Sequence, residues 1–413
     1  MSPVSRAPVF DAARPIDLLG PAFQQHKFDA YRWMLEEAPV CRGRISLLRV
    51  NLVARYDDCR ALLSDDRFVR SRSRARGGRG SPFPVPMPRS IRPLVRSMIV
   101  MDDPEHRRLR SLVNKAFTAR AVARLSDRVE DLAHELADGL DPAGPVDLLE
   151  AYARPVPTRV IAEMVGVSKS DADELHAGMR VLTSGMSGMG LVRTLLFDLR
   201  KTVRFVRQLI ARRRADPRDD ILSALIHAEE QGDRLDEDEL VAMVFLLIVA
   251  GFETTLHLVA NGVCTLLDHP DSIERLRAEP GLWDTAVDEI VRFRGPIHFT
   301  KPIYASEDVE LHGRRIARGT PTFPVLAAAN LDPRAFDAPD TFDVARAPNH
   351  HLGFGFGDHF CLGRQLALME ARIALRTLFE RRPGLRLAVP PDQLKLDRLP
   401  GWHRYASLPV VPG

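Results

Sequence analysis

The longest feature in the alternation of apolar and polar positions runs from Asp236 to Asp268, and near Val244 to Val249 it is apolar around most of a helical circumference. A helix of that kind runs through a core rather than over it. Asp236 followed by Glu239 has the form of a capping box, and His269-Pro270 supplies the stop, which predicts a helix about 50 Å long at 1.5 Å per residue. Helical spacing also dominates from Asp102 to Phe117, Ala121 to Leu140, Pro155 to Val165, Asp171 to Thr183, Leu191 to Arg214 and Ala286 to Phe293. Imperfect alternation between Arg44 and Arg55 around Asn51 predicts a hairpin, followed by a short helix at Tyr56 to Leu63. Ile303 to Leu311 and Leu408 to Val410 read as strands. Ser184 to Gly190, rich in Gly and Met, is a pliable apolar connection. Between Arg67 and Arg96 lie nine arginines and no acid, interleaved with five prolines, so this stretch is a loop or a broken helix.

Composition narrows the class. No Gly/Ser linker or repeat divides the 413 residues, so one domain over 1–413 is expected. A net charge of +3 is too small for this length to indicate nucleic acid. Met1 to Pro15 lacks the apolar centre of a secretory signal, and the most apolar run, Val241 to Phe252, is shorter than the ~20 residues that span a bilayer. Cys41, Cys59, Cys264 and Cys361 are scattered without close pairs, which suits a reducing, cytoplasmic setting and neither a disulfide framework nor a zinc site.

The chemistry centres on Phe354-Gly355-Phe356-Gly357-Asp358-His359-Phe360-Cys361-Leu362-Gly363-Arg364. Three glycines and flanking aromatics predict a tight loop that delivers Cys361 to the start of a helix, where backbone N–H groups and the helix dipole favour a thiolate. Thiolate ligation is one way to hold a haem iron for O–O cleavage; a lone cysteine beside a loop is more often structural. The pattern Phe-Gly-x-Gly-x-His-x-Cys-Leu-Gly resembles the haem-binding loop of the cytochrome P-450 family in its soluble bacterial form. The resemblance implies a mainly α fold with small β-sheets, a triangular prism with a long central helix over the haem, and one haem b per chain held by Cys361.

Other motifs stand in the family's order. Ala250-Gly251-Phe252-Glu253-Thr254-Thr255 puts a glycine and hydroxyls inside the core helix, a break in local consistency that points to a site. It resembles the family's oxygen groove, in which Ala250 and Gly251 admit the haem face and Glu253 with Thr254 form the acid–alcohol pair that handles protons. His106 and Arg110, spaced i, i+4, share one helix face and by resemblance contact a haem propionate. Glu289, Arg292 and Arg346 match the family's buried Glu-x-x-Arg network. Phe354, Gly355, His359 and Gly363 complete the cofactor set. Two departures stand out: Ile303 occupies a position where bacterial members usually carry a propionate-binding Arg, and Leu331 replaces another common Arg. Lys301, two residues before Ile303 and so on the same face of an extended strand, is the expected substitute.

The implied activity is monooxygenation of a hydrophobic small molecule such as a fatty acid, terpenoid or macrolide. The alternatives are a peroxide-driven peroxygenase and a non-catalytic haem sensor. The expected pocket is lined by Val85, Leu246, Val249, Ala250, Ile297, Phe299 and Trp402. No dinucleotide fingerprint follows a strand, so electrons are expected from a ferredoxin or flavodoxin with its NAD(P)H reductase, docking through Arg108 and Arg364. The Arg-rich stretch favours a substrate with an acidic group or one bound to a carrier protein. A monomer without nucleic-acid or membrane partners is expected.

Overall fold

The computed structural model describes residues 10–78, 97–167, 199–230 and 232–413. Val85, the 171–183 helix, the Ser184–Gly190 connection and the 79–96 part of the Arg-rich Arg67–Arg96 stretch lie outside them. The chain falls into two compact units, each assembled from three separate stretches of sequence, so no single cut divides them.

The first unit comprises Met1–Pro82, Ala260–Cys361 and Pro390–Ala406. Its six-stranded sheet runs in the order Ile16–Asp17, Val40–Ile45, Leu48–Val53, Pro321–Pro324, Ile303–Ala305, Phe68–Val69. The hairpin differs from expectation. It turns at Ser46 and Leu47, with Ser46 at φ 55°, while Asn51 sits inside the second strand opposite Arg42. Alternation cannot say which polar residue is the turn, and two short strands share one period. The predicted strand over Ile303–Leu311 also divides. Ile303–Ala305 joins the large sheet, whereas Val309–Leu311 pairs with Arg314–Ile316 in a separate hairpin. On one side, the helix Lys27–Glu36 packs Tyr31, Met34 and Leu35 into an apolar cluster with Leu52, Phe299 and Phe323.

The second unit comprises Phe83–Val259, Leu362–Val389 and Ser407–Gly413. The helix Arg364–Arg381 lies along the helix Ala119–Asp138 and is tied to it by the ion pairs Arg381–Asp138 and Arg376–Glu130. Tyr152 donates to the Ala374 carbonyl at 2.7 Å. A three-stranded sheet orders Arg386–Leu387, Pro409–Val411 and Val146–Asp147.

The long helix spans Glu237–Asp268. Its capping box closes both ways: Glu239 N–H donates to Asp236 Oδ1 at 2.7 Å and Asp236 N–H to Glu239 Oε2 at 2.9 Å. Because it continues without a break past Gly251, it holds an 18-residue window apolar enough to cross a membrane, longer than the run read from the sequence. That window is 61% buried within the protein, as befits a core helix.

Candidate active site

The cysteine loop is shaped by backbone constraints. Gly355 and Gly357 take φ of 76° and 70°, the left-handed region where a side chain is strained. At Gly357 a Cβ would also lie 2.5 Å from the Leu63 carbonyl oxygen, so only glycine fits. The bend returns the chain so that Cys361 N–H donates to the Phe354 carbonyl at 2.9 Å. The Phe354 ring sits 5.8 Å from His351, which pairs with Asp288 at 3.0 Å. Cys361 is a half-buried thiol outside any disulfide, and His359 stands in the short turn Gly357–His359 before it. A Cβ on Gly363 would meet nothing within 4 Å. By contrast, burial pushes the Cys41 and Cys264 thiols up to about 12 and raises Cys59 further, which marks those three as inert.

On the long helix, Leu246, Val249, Ala250 and Thr254 keep accessible surface, as do Phe245, Leu247 and Gly251, while Ile248, Phe252 and Glu253 are buried. The spacing of the first four places them in one stripe. The Thr254 hydroxyl donates to the Ala250 carbonyl at 2.6 Å. Glu253 is buried, and its carboxylate faces His257, one turn on, at 3.7 Å. Gly251 differs from expectation. The space a Cβ would take is filled from Ile161, 3.2 Å away, so this glycine serves helix–helix packing.

His106 is buried in the helix Glu105–Ala116 and lies 3.6 Å from Asp103, while Arg110 is half-buried on the same helix. Lys301 and Ile303 do not share a face. Ile303 is buried in the core, while Lys301 lies before the strand begins, separated from it by Pro302, and keeps surface. Surrounding protein lowers the Lys301 pKa, with the Arg70 charge as second cause, and Arg70 donates to the Lys301 carbonyl. No carboxylate partners Lys301 among the described residues.

Glu289, Arg292 and Arg346 meet in a buried network. Arg292 pairs with Glu289 through Nε at 2.7 Å, and Arg346 Nε reaches both carboxylate oxygens at 3.1 Å. Asn349 and the Asp343 N–H, neither anticipated from sequence, also donate to Glu289. The predicted wall residues divide. Ile297 and Trp402 are half-buried and paired across an isolated bridge. Phe299 belongs to the core, buried against Phe23 and Phe323, because the Ile297–Phe299 segment is bridged to two different partners and keeps no simple alternation. Arg108 is committed inside its own unit to Asp233 and Glu239, which removes it as a docking cation. Within the Arg-rich stretch, Arg67 is likewise neutralised by Asp65 at 2.7 Å.

The cytochrome P450 family model matches residues 192–402. The chain is 35% identical over 395 residues to the polyketide biosynthesis cytochrome P450 PksS of Bacillus subtilis, covering 95% of this chain and 97% of that protein. It is 40% identical over 365 residues to the mycinamicin IV hydroxylase/epoxidase of Micromonospora griseorubida, covering 87% and 89%. The solved structure of PksS superposes with a TM-score of 0.89 over 96% of this chain and 99% of that one, at 35% identity. P450BioI, solved in complex with a hexadec-9Z-enoic acid-ligated acyl carrier protein, gives 0.83 at 32% identity over 94% and 98%. The chain belongs to the cytochrome P450 family.

It therefore has the P450 fold, mainly helical with small sheets, and is a haem-thiolate monooxygenase that uses haem b. The donor set fits that group. One partly exposed thiol follows a glycine-shaped turn, and the cations Lys301 and Arg70, adjacent to each other and the first without a carboxylate partner among the described residues, suit an anionic propionate.

Proposed function

We propose that the chain oxygenates a polyketide- or macrolide-like molecule, or a long acyl chain, in the cytoplasm. The relatives named for polyketide biosynthesis and mycinamicin hydroxylation support this substrate class, as does the apolar stripe Leu246, Val249 and Ala250 on the long helix. The structure with a fatty-acyl carrier protein supports the acyl alternative. The observation that carries the chemical reading is the Cys361 turn, closed by its own N–H on Phe354 and built on two left-handed glycines.

In this reading Cys361 holds the iron, and Phe354, Gly355, His359 and Gly363 frame it. His106, Arg110 and Lys301 bind the propionates, and Ala250 lines the site. Bound haem supplies dioxygen activation and the transfer of one oxygen atom to substrate. Glu253 and the Thr254 hydroxyl move protons at their own oxygen atoms. Leu246, Val249, Ile297 and Trp402 orient the substrate and exclude water, and the Glu289–Arg292–Arg346 network keeps its part of the unit rigid.

Electrons come from a separate ferredoxin or flavodoxin served by an NAD(P)H reductase. Beside the cysteine loop lies a cleft of about 560 Å³ whose lining includes Arg60, Arg334, Phe356 and Phe360 together with one carboxylate, Asp57. Arg60 stacks on Phe356 at 4.6 Å and has no carboxylate partner among the described residues, which suits an acidic protein. This cleft takes the place of Arg108 in docking.

The test is the spectrum of the reduced, carbon monoxide-bound protein beside Cys361→Ser. A strongly red-shifted Soret band is expected in the wild type and absent in the variant. Macrolides and long-chain acids are then compared for the spin-state shift they induce. A histidine-type band overturns the assignment of Cys361. If every macrolide and acyl compound leaves the spin state unmoved while a terpenoid shifts it, the substrate class is wrong.

A further inference from the structure

Glu253 and His257 sit one helical turn apart on the long helix, both nearly devoid of exposed side-chain surface, with Oε2 and Nε2 3.7 Å apart. Glu placed N-terminal to a cation at i, i+4 is the favourable orientation on a helix. The separation is that of an ion pair rather than a hydrogen bond. Meanwhile the Thr254 hydroxyl is occupied by the Ala250 carbonyl at 2.6 Å. Among the described residues, the alcohol thus faces the helix backbone while the acid faces His257, a group able to carry a proton itself.

We propose that His257 is a positioning residue for Glu253: its imidazolium holds the carboxylate along its own row of the helix. Among the described residues, the cation Arg154 lies 5.7 Å from the ring of Phe252, the residue before Glu253, and is paired with Glu150 at 3.0 Å. This inference rests on the reading of Glu253 and Thr254 as the proton-handling pair.

The test compares His257→Gln with His257→Lys, which keeps a cation at the same station of the helix, in the haem-loaded enzyme. Product formed per NAD(P)H consumed is expected to fall about tenfold in His257→Gln, with hydrogen peroxide making up the balance, and to recover in part in His257→Lys. A second readout is independent of turnover. The infrared carboxylate band of Glu253, isolated in the resting protein as the difference from Glu253→Gln, should lose intensity in His257→Gln to a protonated carboxyl band.

Unchanged coupling together with an unchanged carboxylate band overturns the proposal. Should His257→Gln fail to fold, nitrogen-15 NMR of the carbon monoxide-bound ferrous protein decides instead. An imidazolium in the wild type that turns neutral in Glu253→Gln supports the pair, and the same protonation state in both overturns it. Full coupling in Glu253→Gln and Thr254→Ala sinks the acid–alcohol reading and this inference with it. Uncoupling in those two but not at His257 sinks this inference alone.

Discussion

Arg292 has no exposed side-chain surface, and all five of its N–H donors are used inside the protein. Two go to the Glu289 carboxylate, and the others go to the carbonyls of Asn330, Pro339 and Thr341. A lysine at this position has three donors on one nitrogen and cannot reach both sides of such a fork. Arg292→Lys should therefore leave carbonyls and part of the Glu289 charge unsatisfied, at a cost of roughly 3–5 kcal/mol as for breaking a buried pair. Urea unfolding of the purified chain measures it, and a midpoint equal to wild type would show that the network is dispensable. At this scale the sequence named the charged members, because Glu-x-x-Arg and the later Arg are side chains. It could not name the carbonyl acceptors, since every residue carries one and only the fold decides where each points. His257 was within reach, one turn after Glu253, but a histidine on a core helix gives no signal of its own until its neighbour's direction is known.

Among elements, the legible ones were those whose ends carry chemistry. The long helix begins where Asp236 and Glu239 said it would, since the box satisfies two helix-start donors at once. Asp236→Ala removes the acceptor of the Glu239 N–H and should cost about 1 kcal/mol, whereas Asp236→Asn, which keeps a side-chain oxygen, should cost a few tenths at most. Paired denaturation curves of the two variants check this; equal losses would mean that charge, and not the cap, sets the stability. Strands were less legible. The hairpin's turn at Ser46-Leu47 has no Gly or Asn to announce it, and Leu47 is almost wholly exposed against the expectation for a leucine. Phe299 shows the same difficulty from the other side. An apolar residue fits the wall of a pocket and the interior of a core equally well, and here Phe23, Phe323 and Gly401 close around it.

Across the whole molecule, two buried titratable sites should set opposite limits on stability with pH. In the first unit His298 is fully enclosed, bonded to the Tyr31 hydroxyl at 2.7 Å and stacked on His403 at 5.5 Å, with Lys27 nearby. Burial first, then the neighbouring His403 and Lys27, hold its pKa well below 6.5. The unfolded chain thus takes a proton that the folded chain refuses, and stability falls as pH drops below 6.5. In the second unit Glu370, 2% exposed and with no hydrogen-bond partner for Oε2 among the described residues, is pushed by burial from 4.5 up to about 8. Here the folded chain keeps a proton that the unfolded chain loses, so this group's contribution falls as pH rises from 4.5 through about 8. Each tenfold difference in proton affinity between the folded and unfolded chain is worth about 1.4 kcal/mol, so the loss reaches several kcal/mol. Glu370→Gln keeps the shape and removes the ionisation. Its denaturant midpoint should lie near wild type at pH 5 and clearly above it at pH 9, while the acid limb governed by His298 stays in place in both proteins. A Glu370→Gln curve parallel to wild type from pH 5 to pH 9 would mean that Glu370 ionises as freely in the folded chain as in the unfolded one.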